Sequence, residues 1–216
     1  IISHGDMDHS GGFLGLNKSI DVKQNLLAPG YFNKVVDQPF IPKNTWQCDS
    51  SKHWAWSYKS SSRVDIEWVL FDVLMPIKSA LSENLPDNNN ASCVLLIRWR
   101  DKSILLSGDI EKSAEFELLK RYKMPAITVL VAPHHGSQTS SSQDFVDQLQ
   151  PAHVVFSTGF RNHFGHPHSN VVNRYKMLGS DFWNTAIGGG ISFEWDDNGK
   201  LLIKTAREDG YQYWWR

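Results

Sequence analysis

Short apolar runs, rich in β-branched and aromatic residues, recur along the chain and alternate with amphipathic segments. Seven runs have the length and composition of β-strands: 66–76, 92–99, 103–108, 126–133, 152–158, 191–195 and 201–206. Residues 110–123 place apolar side chains on one face and charges on the other, and 141–151 begin with Ser and Asp and stop at a proline. Both segments are predicted to be amphipathic helices. Strands interleaved with helices indicate an α/β fold.

The first half of the chain is less regular. Residues 39–63 contain two prolines, many serines and interleaved aromatics, and 82–92 are polar and turn-rich, so both predict loops. Within the first, residues 52–63 combine aromatics with cations, as in a surface for single-stranded nucleic acid. The same alternation fits a strand with one buried face, and we favour that structural interpretation.

Length and composition indicate one domain, 1–216, with enough apolar residues for a sizeable core, since 41% of the residues are hydrophobic. The longest apolar runs are far shorter than the roughly 20 residues of a membrane-spanning helix, so we expect a soluble domain. A net charge of −1 excludes nucleic-acid binding through a broad positive surface. Cys48 and Cys93 have no metal-site spacing and are predicted to be unpaired.

The first nine residues concentrate side chains that bind metals. They are His4, Asp6, Asp8 and His9. In an extended segment, positions i, i+2 and i+4 point the same way, and an adjacent Asp–His pair at a turn can converge on the same ion. We favour a metal site over a solvated polar turn, and expect Ser10 to cap a helix beginning at about Phe13.

Three later segments each follow a predicted strand and contain further candidate metal-binding or catalytic side chains. In "LLSGDIE", Asp109 either bridges two cations or caps the next helix, and the segment alone favours the cap. In "PHHGS", His134 and His135 point in different directions, so one can ligate a metal while the other faces substrate. The segment "RNHFGHPHS" adds His163, His166 and His168. Active sites of α/β proteins gather at such strand ends.

Five motifs in a fixed order resemble the C-terminal domain of the ComEC family of bacterial competence proteins, within the metallo-β-lactamase superfamily. They are HxDxDH, NNxS before an apolar strand, LLSGDIE, PHHGSxxSSS and NxxGHP, and the resemblance extends from Ile1 to about Phe193. It implies an αββα sandwich with two divalent metal ions, Mn or Zn, at one edge of the sheets. Family members have several strands before the first motif, so the resemblance implies a sandwich lacking its first strands. We expect an exposed sheet edge that favours self-association.

The resemblance also implies roles for individual residues. His4 and Asp6 correspond to ligands of one ion, Asp8 and His9 to ligands of the other, and Asp109 to a bridging carboxylate. His135 corresponds to a second-site ligand and His134 to a phosphate or proton-transfer partner, although the two could be exchanged. His166 corresponds either to a phosphate contact or to a structural histidine.

Two departures from the wider superfamily bear on the metal. Asp6 replaces the second histidine of HxHxDH, as is usual in the ComEC branch, and this harder ligand makes manganese as suitable as zinc. The histidine of the third motif is replaced around Asn89, Asn90 and Ser92. One metal position is therefore expected to be weakly held.

The function implied by the resemblance is a two-metal phosphodiesterase that acts on DNA and degrades one strand during uptake in natural transformation. Single-stranded DNA is therefore the implied partner. Asp8 or Asp109 would orient the attacking water, and His134 or His166 would donate a proton or hold the phosphate. The alternatives are a hydrolase of other phosphoesters, such as nucleotide or phosphorylcholine esters, and a non-catalytic fragment that binds DNA or a partner domain. The full-length protein is implied to be associated with the inner membrane through a membrane-embedded channel domain.

Overall fold

The computed structural model describes residues 1–20, 22, 24–36, 41, 43–59, 66–77 and 88–208, and its strands form one large and two small sheets. β1 (Asn25–Leu27) and β2 (Thr45–Gln47) pair in parallel. The large sheet has the order β3–β4–β5–β6–β7–β8–β9. Its strands are β3 (His53–Lys59), β4 (Ile66–Met75), β5 (Val94–Trp99), β6 (Lys102–Leu106), β7 (Val129–Val131), β8 (His153–Phe156) and β9 (Asp181–Asn184). The pairings from β3 to β6 are antiparallel and those from β6 to β9 are parallel. β10 (Ile191–Trp195) and β11 (Leu201–Thr205) form an antiparallel hairpin.

Three of the helices cover one face of the large sheet. The helices are α1 (Met7–Ser10), α2 (Phe13–Ser19), α3 (Pro29–Val35), α4 (Lys112–Arg121), α5 (Gln143–Leu149), α6 (Ser169–Leu178) and α7 (Thr185–Gly188). Leu118 of α4, Phe145 of α5 and Tyr175 of α6 are completely buried in one cluster with Leu105 and Phe156 of the sheet. This core fixes the helices relative to the strands whose ends carry the candidate ligands.

A second, smaller core lies on the opposite face of the sheet. Leu26 of β1 packs there with Phe71 of β4 and Leu95 of β5, next to a disulfide between Cys48 and Cys93. The prediction of unpaired cysteines is therefore wrong. Spacing along the chain could not show the pairing, because it arises where the end of β2 meets the start of β5.

β3 forms one edge of the large sheet in the described part of the chain, and this edge is apolar. Trp56 is 64% exposed, and on β4 Ile66 is 61% and Trp68 is 56% exposed. Large exposed apolar side chains on an edge strand are typical of surfaces that pair with another chain. Self-association through this edge stays a prediction.

The predicted α/β class is confirmed, and all seven predicted strands are present, although β6 begins one residue earlier than predicted and the run at 126–133 contributes only Val129–Val131. The prediction of a loop over 39–63 is wrong where β2 and β3 form, whereas the favoured strand interpretation within 52–63 is confirmed over His53–Lys59. Residues 39–40, 42 and 60–63 lie outside the described residues. Of the second predicted loop, 82–87 lie outside the described residues and Asn89–Ala91 form a 3₁₀ turn.

Ser10 does not cap the second helix, contrary to the prediction. Its hydroxyl donates to the Gly5 carbonyl at 2.9 Å, and Gly12 precedes α2. Among the described residues, no helix is both long enough and apolar enough to cross a lipid bilayer.

Candidate metal centre

The candidate ligands meet at one edge of the large sheet because of the direction of its strands. Asp109 follows β6, His135 follows β7, and His166 lies in the segment after β8. Parallel neighbours end on the same side, so these side chains approach each other. Their order along the sheet therefore brings together residues that are far apart in sequence.

The N-terminal segment is held against the same edge by backbone hydrogen bonds. The Ile2 amide donates to the Leu26 carbonyl at 2.9 Å, and the Cys93 amide donates to the Ser3 carbonyl at 2.9 Å. These bonds place His4 next to the start of β5. Residues 7–10 then form a single helical turn, α1, which carries Asp8 and His9. These two residues therefore do not lie on an extended segment.

Three imidazole Nε2 atoms surround the Asp109 carboxylate. Oδ1 of Asp109 lies 3.3 Å from Nε2 of His9, and Oδ2 lies 3.3 Å from Nε2 of His135 and 3.7 Å from Nε2 of His4. The buried carboxylate thus reaches histidines from the N-terminal segment and from the loop after β7. This is the position that a bridging ligand would occupy.

The other two carboxylates lie at the open side of this cluster. Oδ2 of Asp8 is 3.3 Å from Nε2 of His135 and 3.6 Å from Nε2 of His9, while Oδ2 of Asp6 is 3.6 Å from Nε2 of His4. Two groups of ligand atoms each lie within 4.8 Å of one another. The groups are His4, His9 and Asp109, and Asp8, His9 and His135.

The second ring nitrogen, Nδ1, of each of the three histidines contacts an oxygen atom outside the ligand groups. Oγ of Ser3 lies 3.2 Å from Nδ1 of His4 and 2.9 Å from Nδ1 of His9. Nδ1 of His135 donates to the Ser157 carbonyl at 2.7 Å. A hydrogen bond at Nδ1 orients the ring and leaves Nε2 to bind a metal, as in most histidine metal sites.

The His4 imidazole tests whether these residues fit a metal ion. Its Nε2 atom is buried and makes no hydrogen bond in the described part of the chain, and its nearest carboxylate oxygens are beyond hydrogen-bond distance. An unsatisfied buried polar atom costs about 1–3 kcal/mol. A cation between His4 and Asp109 would remove that cost, so the donor set fits a metal ion.

Ionisation of the cluster follows from the same contacts. Burial alone would raise the pKa of Asp109, but hydrogen bonds and charge from His135 and His9 hold it well below its ordinary value. The hydrogen bond to Asp109 raises the pKa of His135 to about 9, against the effect of burial. Burial lowers the pKa of His4. A metal that binds to this cluster must therefore displace a proton from His135.

His134 and His166 lie beside the ligand groups and belong to neither. The His134 ring centre is 6.3 Å from that of His135 and 5.8 Å from that of His166. The structure thus places His135 among the ligand atoms and His134 at the rim. The backbone amide of His166 donates to Oδ1 of Asn162 at 2.9 Å, which orders its loop.

Comparison with known proteins assigns the fold family. The sequence profile of the "Metallo-beta-lactamase superfamily" matches residues 1–160. This chain belongs to the metallo-β-lactamase superfamily. Proteins of this superfamily are typically hydrolases that bind divalent metal ions, most often zinc.

Three curated relatives share the whole or nearly the whole of this superfamily domain. The chain is 29% identical over its full length to "Competence protein ComA" of Neisseria gonorrhoeae, and 28% identical over 90% of its length to "ComE operon protein 3" of Bacillus subtilis. It is also 28% identical over its full length to "Uncharacterized protein YcaI" of Escherichia coli. The chain spans only 27%, 24% and 25% of these relatives, about a quarter of each. The predicted resemblance to ComEC-type competence proteins is confirmed.

The replaced third motif of the superfamily has a positioning role in this chain. Oγ of Ser92 accepts from the Asp109 amide at 3.1 Å, and Oδ1 of Asn90 accepts from the Glu111 amide at 2.8 Å. These side chains hold the backbone that carries the central carboxylate. The cap interpretation of Asp109 is wrong, since α4 begins at Lys112 with Glu111 at its N-cap.

Sequence reasoning missed the residues that orient the histidines. Ser3 contacts two rings of the first motif, and its position directly before that motif is its only sequence signal. Glu111 and Thr139 lie within LLSGDIE and PHHGSxxSSS, two residues after Asp109 and four after His135. These positions are their only sequence signal.

Proposed function

We propose that this domain is a two-metal phosphodiesterase that cleaves DNA as part of a competence-related protein. The observation that supports it best is the convergence of His4, His9 and His135 on Asp109, with Nε2 of His4 buried and without a hydrogen-bond partner among the described residues. A cluster of three imidazoles and a carboxylate at a strand end suits metal-assisted hydrolysis.

The resemblance and the contacts of the cluster together suggest which residues would hold two divalent ions, manganese or zinc. His4 and Asp6 would contribute to one ion and Asp8, His9 and His135 to the other, and Asp109 would contribute to both. The ions would supply Lewis acidity to a phosphoryl oxygen and to a water molecule, together with positive charge that a nearly neutral chain lacks. The oxygen-rich ligands at positions 6, 8 and 109 make manganese as suitable as zinc.

The remaining site residues would bind and orient the substrate. Asp8 is 65% exposed while its Oδ2 faces His135, so it can accept a hydrogen bond from an attacking water at the open side. His134 and His166 line the rim, where their rings can hold a phosphate oxygen or donate a proton to the leaving oxygen. Burial lowers the pKa of His166, so its ring is neutral at physiological pH and can still donate one N–H to a phosphate.

The relatives support a competence-related role, because one of them is named "Competence protein ComA"; DNA as the substrate class is our proposal. By this resemblance the domain would act on a single strand of DNA during uptake, next to a membrane-embedded channel domain of the same full-length protein. The full-length protein would then be associated with the inner membrane. Hydrolysis of small phosphoesters without cleavage of DNA, and DNA binding without catalysis, are the outcomes that would contradict this assignment.

The test combines metal analysis with hydrolysis assays on the purified chain. After reconstitution with manganese or zinc, we expect about two ions per chain and metal-dependent cleavage of single-stranded DNA. Asp109→Ala should abolish cleavage and reduce metal content. His53→Ala removes a histidine on β3, outside the site, and should leave both unchanged.

Each alternative has a distinct result in the same assays. Cleavage of bis(4-nitrophenyl) phosphate or nucleotide esters without DNA cleavage would indicate another phosphoester hydrolase. DNA binding without bound metal or cleavage would indicate a non-catalytic domain. Cleavage that persists in Asp109→Ala would refute the two-metal site.

A further inference from the structure

Three side chains outside the ligand groups form a hydrogen-bonded chain that ends on His134. The hydroxyl of Thr139 donates to Oε1 of Glu111 at 2.8 Å, and its oxygen lies 3.2 Å from Nδ1 of His134. Oε1 of Glu111 is itself 3.4 Å from the same nitrogen. The ring is thus held from one side by a hydroxyl with a carboxylate behind it.

The direction of these bonds follows from counting donors. A carboxylate only accepts, so the single hydroxyl proton of Thr139 goes to Glu111. The Thr139 oxygen must then accept from His134, which places a proton on Nδ1. In the neutral ring Nε2 carries no proton, and it makes no hydrogen bond with any residue of the described segments. Nε2 is therefore the ring nitrogen left to accept a proton at the substrate side of the site.

Both partners of His134 are anchored to the segments that carry the central ligands. The Glu111 amide is held by Asn90, and the amide of Lys112 donates to the Thr139 carbonyl at 3.1 Å. The Thr139 amide donates to Oγ of Ser137 at 3.3 Å. These bonds couple the segment after β6 to the loop after β7, so the His134 ring is fixed relative to Asp109 and His135.

The backbone of His134 supports a constrained orientation. His134 has φ of 49° and ψ of 44°, in the left-handed region that residues other than glycine rarely adopt. Such conformations persist where surrounding contacts enforce them, and they are frequent at functional sites. The chain from Glu111 through Thr139 is a contact of that kind.

We propose that Glu111 and Thr139 are positioning residues that fix His134 in its Nδ1–H form, so that its unprotonated Nε2 faces the substrate side, accepts a proton from the attacking water and then passes it to the leaving oxygen. The inference rests on the proposed phosphodiesterase function and specifies the orientation of one residue in that site. Glu111 acts through Thr139, much as a carboxylate orients the histidine of other hydrolases. Neither residue needs to touch the substrate.

The activity test uses Thr139, because it offers a matched pair of substitutions. Thr139→Val keeps the shape and removes the hydroxyl, and should lower kcat about 10- to 100-fold with little change in KM. Thr139→Ser keeps the hydroxyl and should restore most of the activity. In a His134→Ala background, Thr139→Val should have no further effect, because its partner is absent. An equal loss with and without His134 would overturn the proposal.

A second measurement does not depend on activity. Nitrogen chemical shifts of the His134 ring, read by NMR at a pH where the ring is neutral, should show the proton on Nδ1 in the wild type. Thr139→Val should shift this population toward Nε2–H, whereas metal content stays at the wild-type level. A wild-type ring with its proton on Nε2 would overturn the proposal even if hydrolysis is observed. The expected tautomer in a chain without hydrolytic activity would refute the proposed function and retain the Glu111–Thr139–His134 arrangement.

Discussion

Replacing Gly136 with alanine should destabilise the loop after β7 by an amount that follows from its surroundings. Gly136 has φ of +81°, and in the left-handed region an L-residue costs about 1–2 kcal/mol. The added Cβ would lie 2.7 Å from Cβ of Pro167 and 2.8 Å from Cδ1 of Phe156. Overpacking of this kind costs about 1–3 kcal/mol. The sum, about 2–5 kcal/mol, is a large share of the about 5–15 kcal/mol that stabilises a typical domain.

Urea denaturation of matched variants can separate the two contributions. Gly165 has φ of +69° and nothing within 4 Å of an added Cβ, so Gly165→Ala should show only the backbone cost. Gly136→Ala should therefore lower the free energy of unfolding by about 1–3 kcal/mol more than Gly165→Ala. It should also weaken metal binding, because Gly136 directly follows His135. Equal destabilisation by the two substitutions would refute the packing argument.

Three further perturbations have definite expected results. Ser92→Ala leaves the buried amide of Asp109 without its acceptor at 3.1 Å and should cost about 1–3 kcal/mol in urea denaturation, so an unchanged midpoint would contradict the positioning role. The disulfide of Cys48 and Cys93 closes 45 residues, so Cys48→Ser should lower the free energy of unfolding by about 4 kcal/mol; two free thiols in unreduced, denatured protein would show the pairing to be wrong. Burial raises the pKa of Glu115, so the protonated side chain contributes to the free energy of unfolding. This contribution is complete below the ordinary pKa of a glutamate and is lost as pH rises through the raised value. Glu115→Gln should flatten that part of the stability profile, and an unaltered profile would count against this origin.

Local patterns were sufficient for much of the fold. The strands at β5 and β6 are short runs of β-branched and aliphatic residues, and the helix at α4 has the charge and apolar periodicity of an amphipathic helix. β2 is not evident from the sequence, because it has only three residues and the surrounding prolines and serines resemble loop composition, whereas the alternation within β3 indicated a strand. Edge strands bury less apolar surface than central ones, so their sequences carry a weaker signal.

Residue types and motif order were likewise sufficient to nominate the ligand residues. Histidines and carboxylates at positions 4–9, 109 and 135 were chosen from chemistry and resemblance, and the structure brings these segments together. Taken alone, "LLSGDIE" favoured a helix cap for Asp109, since a lone carboxylate before a helix usually caps it. Only the approach of His9 and His135 shows its position at the centre of the cluster.

The sequence by itself determined the α/β class, the family and the residues with metal-binding chemistry, because each depends on local periodicity or on residue types in a fixed order. The tertiary structure alone decided which atoms meet. It paired Cys48 with Cys93, placed Ser3 against two imidazoles, and linked Glu111 through Thr139 to His134. These contacts depend on strand order and on loop conformations such as the left-handed backbone at His134, and neither is encoded in the local pattern of apolar and polar residues.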